Sequence, residues 1–131
     1  MPLDTTMKTL VIDDMMTMRK IISKMLKQIG FTDVSEADDG ATAWPMIQEA
    51  QEKGEPFKFI VSDWNMPKMS GLDLLIKIRA TEGLKDTPFL MVTAEAEQSN
   101  VIKVVQAGVS NFVKKPFKPE TLKEKIDKIF P

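Results

Sequence analysis

Five short apolar runs, each followed by a segment in which apolar residues recur at helical spacing, constrain the fold more than any other feature. The clearest runs cover residues 10–12, 59–62 and 89–92. They are continuous and do not alternate with polar residues, which is typical of parallel strands covered on both faces. Strands that alternate with helices in this way predict an open α/β sheet of five strands and five helices.

The remaining elements follow from the same spacing and from turn residues. Two shorter strands are predicted at residues 33–36 and 112–114, and the helices at about 18–29, 41–52, 72–79, 97–107 and 119–129. Gly30, Gly54 and Gly108 are expected to end helices, and Pro45 is expected near the first turn of its helix. The third helix is indicated by Leu72, Leu75, Ile76 and Ile78. The fourth is expected to carry Val101, Val104 and Val105 inward, and the fifth to carry Leu122, Ile126 and Ile129 on one face.

Composition excludes several classes of function. The 131 residues fit one domain, and the net charge of -1 gives no overall field that favours nucleic acid or an anionic membrane. The chain has no Cys and no His, which excludes disulfides, thiolate or imidazole metal sites, and a His general base. With neither a signal peptide nor a spanning helix in the sequence, we expect a cytoplasmic protein without membrane insertion.

Polar side chains follow four of the five predicted strands. Asp13 and Asp14 follow the first strand, Asp63 the third, Thr93 the fourth and Lys115 the fifth. Ligands of open parallel sheets bind beyond the carboxyl ends of the strands, so these side chains are expected to share one site. The second strand contributes nothing obvious.

The three acids predict a cation site. Neighbouring carboxylates repel one another, and a hard ion such as Mg²⁺, which prefers oxygen ligands, relieves that repulsion. An aspartate beside Mg²⁺ can attack phosphorus to form an acyl phosphate. Asp63 is the candidate nucleophile, Lys115 the ammonium that shares the charge, and the Thr93 hydroxyl a new hydrogen-bond donor to the phosphoryl group.

The chain resembles the receiver domains of bacterial two-component signalling, and in particular the CheY-like single-domain response regulators. The matching segments are Val11 to Asp14, Thr17 to Arg19, Glu36 to Gly40, Asp63 to Pro67, Gly71, Thr93 to Glu95 and Lys115 to Phe117. The resemblance implies a doubly wound, flavodoxin-like sheet with strand order 2-1-3-4-5. It also implies a receiver domain over residues 8–131, with an N-terminal extension over 1–7 and no output domain.

The resemblance assigns roles to the site residues. Asp63 would accept phosphate from a sensor histidine kinase. Asp14, Asp63 and the backbone carbonyl of Asn65 would bind Mg²⁺ directly, and Asp13 would act through water.

Two more pairs of residues receive roles from the same resemblance. Thr93 and Lys115 would hold the phosphoryl group, while Asn65 and Glu95 would set the rate of its hydrolysis. The expected protein is a monomer that works in chemotaxis, with the flagellar motor switch as output partner and a phosphatase as a further partner.

Phe112 is a departure from the pattern. Receivers of the chemotaxis type usually carry a Tyr at this position, and the chain contains no Tyr. Phe112 can still move between exposed and buried rotamers together with Thr93, but it offers no hydroxyl to a partner.

Two alternative functions remain open at this point. One is a Mg²⁺-dependent aspartyl-nucleophile phosphatase, which typically needs a second Asp where this chain has Asn65, because an amide cannot act as general acid. The other is an interaction module that is never phosphorylated. Each polar residue also has a plain structural interpretation, as a helix cap, a turn residue or a surface lysine.

Overall fold

The computed structural model describes residues 4–93, 98–115 and 117–130, without the side chains of residues 98–101. Its five strands form one parallel sheet in the order β2-β1-β3-β4-β5, which confirms the predicted fold class. The strands are β1 (Thr9–Ile12), β2 (Val34–Ala37), β3 (Phe59–Asp63), β4 (Phe89–Thr93) and β5 (Asn111–Lys114).

Five helices connect and cover the strands. Gly30 ends the first helix with φ +128°, a conformation that favours glycine, and the Asp39 side chain caps the second by accepting the Thr42 N–H at 2.8 Å. The helices are α1 (Met16–Ile29), α2 (Gly40–Glu52), α3 (Gly71–Arg79), α4 (Gln98–Gln106) and α5 (Pro119–Ile129). Within the described residues, none of them has the length and hydropathy needed to cross a membrane.

The apolar core lies on both faces of the sheet. Alternate residues of the central strands point to opposite sides, so that Leu10 and Ile12 pack with α2 and α3, whereas Val11 packs with α1 and α5. All residues of β1, β3 and β4 are buried. Continuous apolar runs therefore mark these strands because neither face meets water.

The predicted inward position of Val105 is wrong, and Ile76, one of the apolar residues that predicted α3, also lies on an exposed side. Ile76 is 50% exposed and Val105 is 59% exposed. In α3 the buried positions are Gly71, Leu74, Leu75 and Ile78, whose spacing forms one helical stripe and leaves Ile76 on the opposite side. Of the three valines predicted to face inward in α4, Val104 is buried. The side chain of Val101 lies outside the described part of the structure.

Pro45 also differs from its expected place. It lies in the second turn of α2, one turn further into the helix than predicted. Proline lacks the N–H that would donate to the carbonyl of Ala41. Ala41 and Pro45 are both exposed, so water can donate a hydrogen bond to the Ala41 carbonyl in place of the missing N–H. The helix continues to Glu52.

Candidate functional site

Asp13 is the most constrained acid at the carboxyl edge of the sheet. It follows β1 and is fully buried. Its Oδ1 accepts the Met15 N–H at 2.9 Å, and its Oδ2 lies 3.2 Å from Lys115 Nζ. Its own N–H donates to the carbonyl of Ala37 at 3.2 Å. Both carboxylate oxygens of Asp13 are thus engaged by the protein.

Asp63 is the last residue of β3 and is also buried, with 6% of its surface exposed. Its Oδ1 accepts the Trp64 N–H at 2.9 Å and lies 3.3 Å from Lys115 Nζ. Among the described residues, no hydrogen bond or ion pair is made to its Oδ2. That second oxygen is therefore the one available for chemistry.

Asp14 completes the acidic cluster that the sequence predicted. One carboxylate oxygen from each of Asp13, Asp14 and Asp63 lies within 4.8 Å of the other two. Asp14 is exposed, which leaves an open side toward solvent. An all-oxygen set with one open side suits Mg²⁺, which keeps several waters and takes one or two carboxylates. The residues present therefore fit the ion that the sequence predicts.

The negative charge of the cluster affects the pKa of Asp63. Burial, and then the negative charge of Asp13, raise the pKa of Asp63 to about 6, although Lys115 and the Trp64 N–H act in the opposite direction. A divalent cation would reverse this shift, because it favours the ionised form.

Lys115 and Thr93 come from the next two strand ends. Lys115 follows β5, its N–H donates to the carbonyl of Thr93 at 2.7 Å, and its side chain is 15% exposed. Thr93 ends β4 and is 6% exposed. The sheet register pairs Asp63 with Val92, which brings Thr93 one residue beyond the acid. The structure thus brings together Asp13, Asp14, Asp63 and Lys115, with Thr93 at the same edge.

The loop between β3 and α3 carries Asn65, which is exposed close to Asp63. Two backbone hydrogen bonds fix this loop, from Gly71 N–H to the carbonyl of Trp64 at 2.9 Å and from Gly40 N–H to the carbonyl of Met69 at 3.3 Å. Lys68 adopts φ +67°, a left-handed conformation that is uncommon for a residue with a side chain. The loop conformation is therefore set by backbone contacts on both sides.

Phe112 lies in β5, opposite Met91 of β4, and is partly buried against the core. Lys125 Nζ is 5.8 Å from the centre of its ring, a distance typical of a cation–π contact. Glu95, predicted to influence hydrolysis, lies outside the described residues.

Two further lysines of α5 form ion pairs within the helix. Lys123 pairs with Asp127 at 2.9 Å and Lys128 with Glu124 at 3.6 Å. These spacings of four residues are typical of a solvated helix face.

Sequence reasoning missed a contribution from the second strand. Glu36 of β2 accepts Arg19 Nε at 3.0 Å, and Arg19 Nη1 donates to the backbone carbonyl of Asp13 at 2.9 Å. The available signal was an acid within a short strand, β2, which pairs with the strand that leads into Asp13.

Comparison with known proteins agrees with this geometry. The family model described as the response regulator receiver domain matches residues 9–127. The chain belongs to the response regulator receiver domain family. One relative of this receiver is "Chemotaxis protein CheY-3" of Vibrio cholerae, 52% identical over 128 residues, which cover 98% of this chain and 95% of the relative. "Chemotaxis protein CheY" of Pseudomonas aeruginosa is 53% identical over 124 residues, covering 95% of this receiver and 96% of the relative.

Solved structures of other receivers have the same fold. The chemotaxis response regulator CheY4 of Vibrio cholerae superposes with a TM-score of 0.83 at 32% identity, covering 95% of this receiver and 98% of that chain. A putative response regulator of Chloroflexus aurantiacus gives a TM-score of 0.84 at 27% identity, over 95% and 98% of the two chains.

Proposed function

We propose that this receiver is a phosphoacceptor switch in which Asp63 takes a phosphoryl group from the phosphohistidine of a sensor kinase. The observation that carries the proposal is the arrangement at Asp63, a buried carboxylate with one oxygen held by Lys115 and Trp64 and the other without a partner among the described residues. Nucleophilic attack needs a fixed carboxylate with one oxygen to offer.

The transfer follows from these contacts. Asp63 Oδ2 forms a bond to phosphorus while the bond from phosphorus to the donor imidazole breaks and leaves its electron pair on the nitrogen. Lys115 Nζ, 3.3 Å from Asp63 Oδ1, stabilises the negative charge that accumulates around the phosphoryl oxygens. Thr93, at the neighbouring strand end, offers its hydroxyl to one of these oxygens.

Asp14, Asp63 and the backbone carbonyl of Asn65 would hold Mg²⁺, and Asp13 would act through water. When bound, the ion supplies positive charge between the carboxylates and the incoming phosphoryl oxygens. Asp13 is suited to the outer role because Met15 and Lys115 already occupy its two oxygens. Asn65 and Glu95 are proposed to set the lifetime of the acyl phosphate.

The output of the switch involves Thr93 and Phe112. A phosphoryl group that draws Thr93 inward frees space behind it, and Phe112 of the adjacent strand is the aromatic side chain placed to respond. Its contact with Lys125 would then change, and with it the surface around β5 and α5. We expect this surface to bind the partner, with no turnover of external substrates.

The pathway is proposed from the relatives. Two similar proteins that the chain covers almost fully are named chemotaxis proteins. We therefore propose a cytoplasmic role in chemotaxis, with a histidine kinase as donor, the flagellar motor switch as output partner and a phosphatase as a further partner. The receiver domain is proposed to act alone as a monomer.

Incubation with Mg²⁺ and acetyl phosphate tests the chemistry. We expect the intact mass to rise by one phosphoryl group and the fluorescence of Trp64 to change, because that residue adjoins the acid. Asp63→Asn should show no mass increase, whereas Asp38→Asn, which removes an exposed acid outside the cluster, should react normally. An unchanged mass of the wild-type chain would contradict the proposal.

A further inference from the structure

Arg19 connects two elements that both border the acidic cluster. It lies in α1, and its half-buried guanidinium donates from Nη1 to the backbone carbonyl of Asp13 and from Nε to Glu36 Oε1 of β2. The side chain is 15% exposed and that of Glu36 is 24% exposed. Contacts of this depth are screened by water less than those of a surface pair.

The two contacts need an arginine. Its guanidinium is planar and presents several N–H donors in a fixed geometry. When one N–H is hydrogen-bonded to an acceptor, the directions of the other N–H groups are therefore fixed as well. Glu36 accepts from Nε, and with the plane fixed in this way an N–H of Nη1 points at the carbonyl of Asp13. Lys20 reaches Oε2 of Glu36 at 3.0 Å, but no hydrogen bond or ion pair joins it to Asp13.

The carbonyl of Asp13 belongs to the peptide that leads into Asp14. The other polar groups of Asp13 are held by Ala37, Met15 and Lys115, so Arg19 completes the set. In contrast, among the described residues no hydrogen bond or ion pair fixes the side chain of Asp14. Its direction therefore depends on the main chain that precedes it.

We propose that Arg19, oriented by Glu36, is a positioning residue that fixes the peptide between Asp13 and Asp14 and so directs the Asp14 carboxylate into the cluster. This inference extends the proposed function, because it assigns a role to β2 in a site otherwise built at the ends of β1, β3, β4 and β5. Loss of the contact would let the peptide rotate and carry Asp14 away from Asp63.

The test compares two neighbouring substitutions on the same helix. Arg19→Met keeps the aliphatic stem but loses both contacts, while Lys20→Met loses a bond to the same Glu36 carboxylate without touching Asp13. Calorimetric titration with Mg²⁺ should show a dissociation constant about tenfold higher for Arg19→Met, a size typical of groups that orient metal ligands. For Lys20→Met we expect a change below about twofold, as for other exposed pairs.

A second readout needs no metal. The N–H of Met15 donates to Asp13 Oδ1, so its hydrogen exchange in the metal-free protein reports the order of this turn. Exchange should be faster in Arg19→Met than in Lys20→Met. If Arg19→Met loses stability overall, Glu36→Gln, which keeps the shape of the side chain, should show the same trends to a smaller degree.

The outcomes separate this inference from the proposed function. Equal dissociation constants and equal exchange rates in Arg19→Met, Glu36→Gln and wild type would overturn the positioning role while leaving the phosphoacceptor function intact. A wild-type chain without Mg²⁺ affinity would instead contradict the proposed function, and Met15 exchange would still decide the role of Arg19.

Discussion

Asp63 is buried beside a second carboxylate, that of Asp13. In the metal-free protein, ionisation of Asp63 therefore lowers the free energy of unfolding. Its pKa is raised, first by burial and then by Asp13, to about 6 from an ordinary value of 3.8. The folded protein therefore binds the Asp63 proton more tightly than the unfolded chain does. Between these two values the free energy of unfolding falls as pH rises, because the unfolded chain ionises first.

Replacement of this acid should stabilise the metal-free protein. At pH 7.5, with a chelator present to remove metal ions, Asp63→Asn is expected to raise the free energy of unfolding by about 1 kcal/mol. This value is smaller than the pKa shift alone would give, because solvent screens part of the interaction. The gain should shrink toward pH 4, where the wild-type carboxyl is protonated in the folded state. Urea unfolding at both pH values measures it.

Asp14→Asn is the matched control for this experiment. It removes an exposed charge from the same cluster, so its gain should be smaller. A metal-free Asp63→Asn protein less stable than wild type at pH 7.5 would show that Lys115 outweighs the cost of burial and repulsion.

Sequence alone predicted which polar residues lie together at this edge of the sheet. Asp13, Asp63 and Lys115 each follow an apolar run, and parallel strands bring such positions to one edge. The contact of Arg19 with the Asp13 carbonyl could not be predicted in this way. It depends on the rotamer of a long side chain whose two acceptors lie on different elements.

Helix α3 begins directly against the end of strand β3. Gly71 begins α3, and a Cβ atom there would collide with the carbonyl oxygen of Asp63 and crowd the sulfur of Met91. The Gly71 N–H also donates to the carbonyl of Trp64. The start of α3 therefore packs directly against the strand end that carries Asp63.

A single methyl group at this contact should move the helix. We expect Gly71→Ala to lower the free energy of unfolding by roughly 3 kcal/mol, because the colliding partner is main chain and cannot swing aside. Phosphorylation by acetyl phosphate should slow as well, since Asp63 shifts with its backbone. Thermal unfolding and intact mass over time measure the two effects.

Gly54→Ala separates crowding from backbone strain. Gly54 has φ +75°, but a Cβ atom added there would meet nothing within 4 Å, so its substitution costs only the left-handed conformation, about 1 kcal/mol. If Gly71→Ala and Gly54→Ala lower the free energy of unfolding equally, the collision at Gly71 is relieved by a local shift of the backbone, and the expected extra loss is contradicted.

Element boundaries were largely predictable, while the faces of helices were less so. Gly30 and the Asp39 cap mark their helix ends by conformation and hydrogen bonding that depend on nearby residues alone. Val105 was wrongly predicted to face inward, and Ile76 is exposed as well, because an apolar residue can lie on either side of a short helix. Only the tilt of the helix on the sheet, a tertiary property, decides which side is covered.

At the scale of the molecule, the site exists only in the folded chain, because its acids come from β1 and β3. A large cavity of about 680 Å³ lies at the other edge of the sheet, beside Met7, Phe57 and Pro88. These residues precede strands, so the cavity is remote from the acidic cluster. The acidic cluster is therefore not part of this cavity.

Mg²⁺ should stabilise the fold by mass action. A ligand that binds only the folded state at a hundred times its dissociation constant adds about 2.7 kcal/mol to the free energy of unfolding. We expect the melting temperature to rise with Mg²⁺ concentration in the wild type and to rise much less in Asp14→Asn. Scanning calorimetry over a Mg²⁺ series measures this.

Asp38→Asn serves as the control, since Asp38 is an exposed acid that does not belong to the cluster. It should respond to Mg²⁺ as the wild type does. An equal response of Asp14→Asn would place the binding of the ion elsewhere.

The strand order was implied by family resemblance and could not be obtained from periodicity. The spacing of apolar residues identifies each strand and helix separately. Which strands lie next to each other in the sheet depends on contacts between segments that are distant in the sequence. The position of β1 between β2 and β3 is such a choice.

That order also governs how the chain folds. No two adjacent strands of the sheet can pair through a hairpin, because a helix lies between each pair, and pairing of β1 with β3 passes over β2 and α2 as well. Closure of such long loops costs entropy before any contact offsets it, which places the chain among slower folders than helical bundles. Asp13 and Asp63 thus meet only after the entire segment from Asp14 to Ser62 has closed.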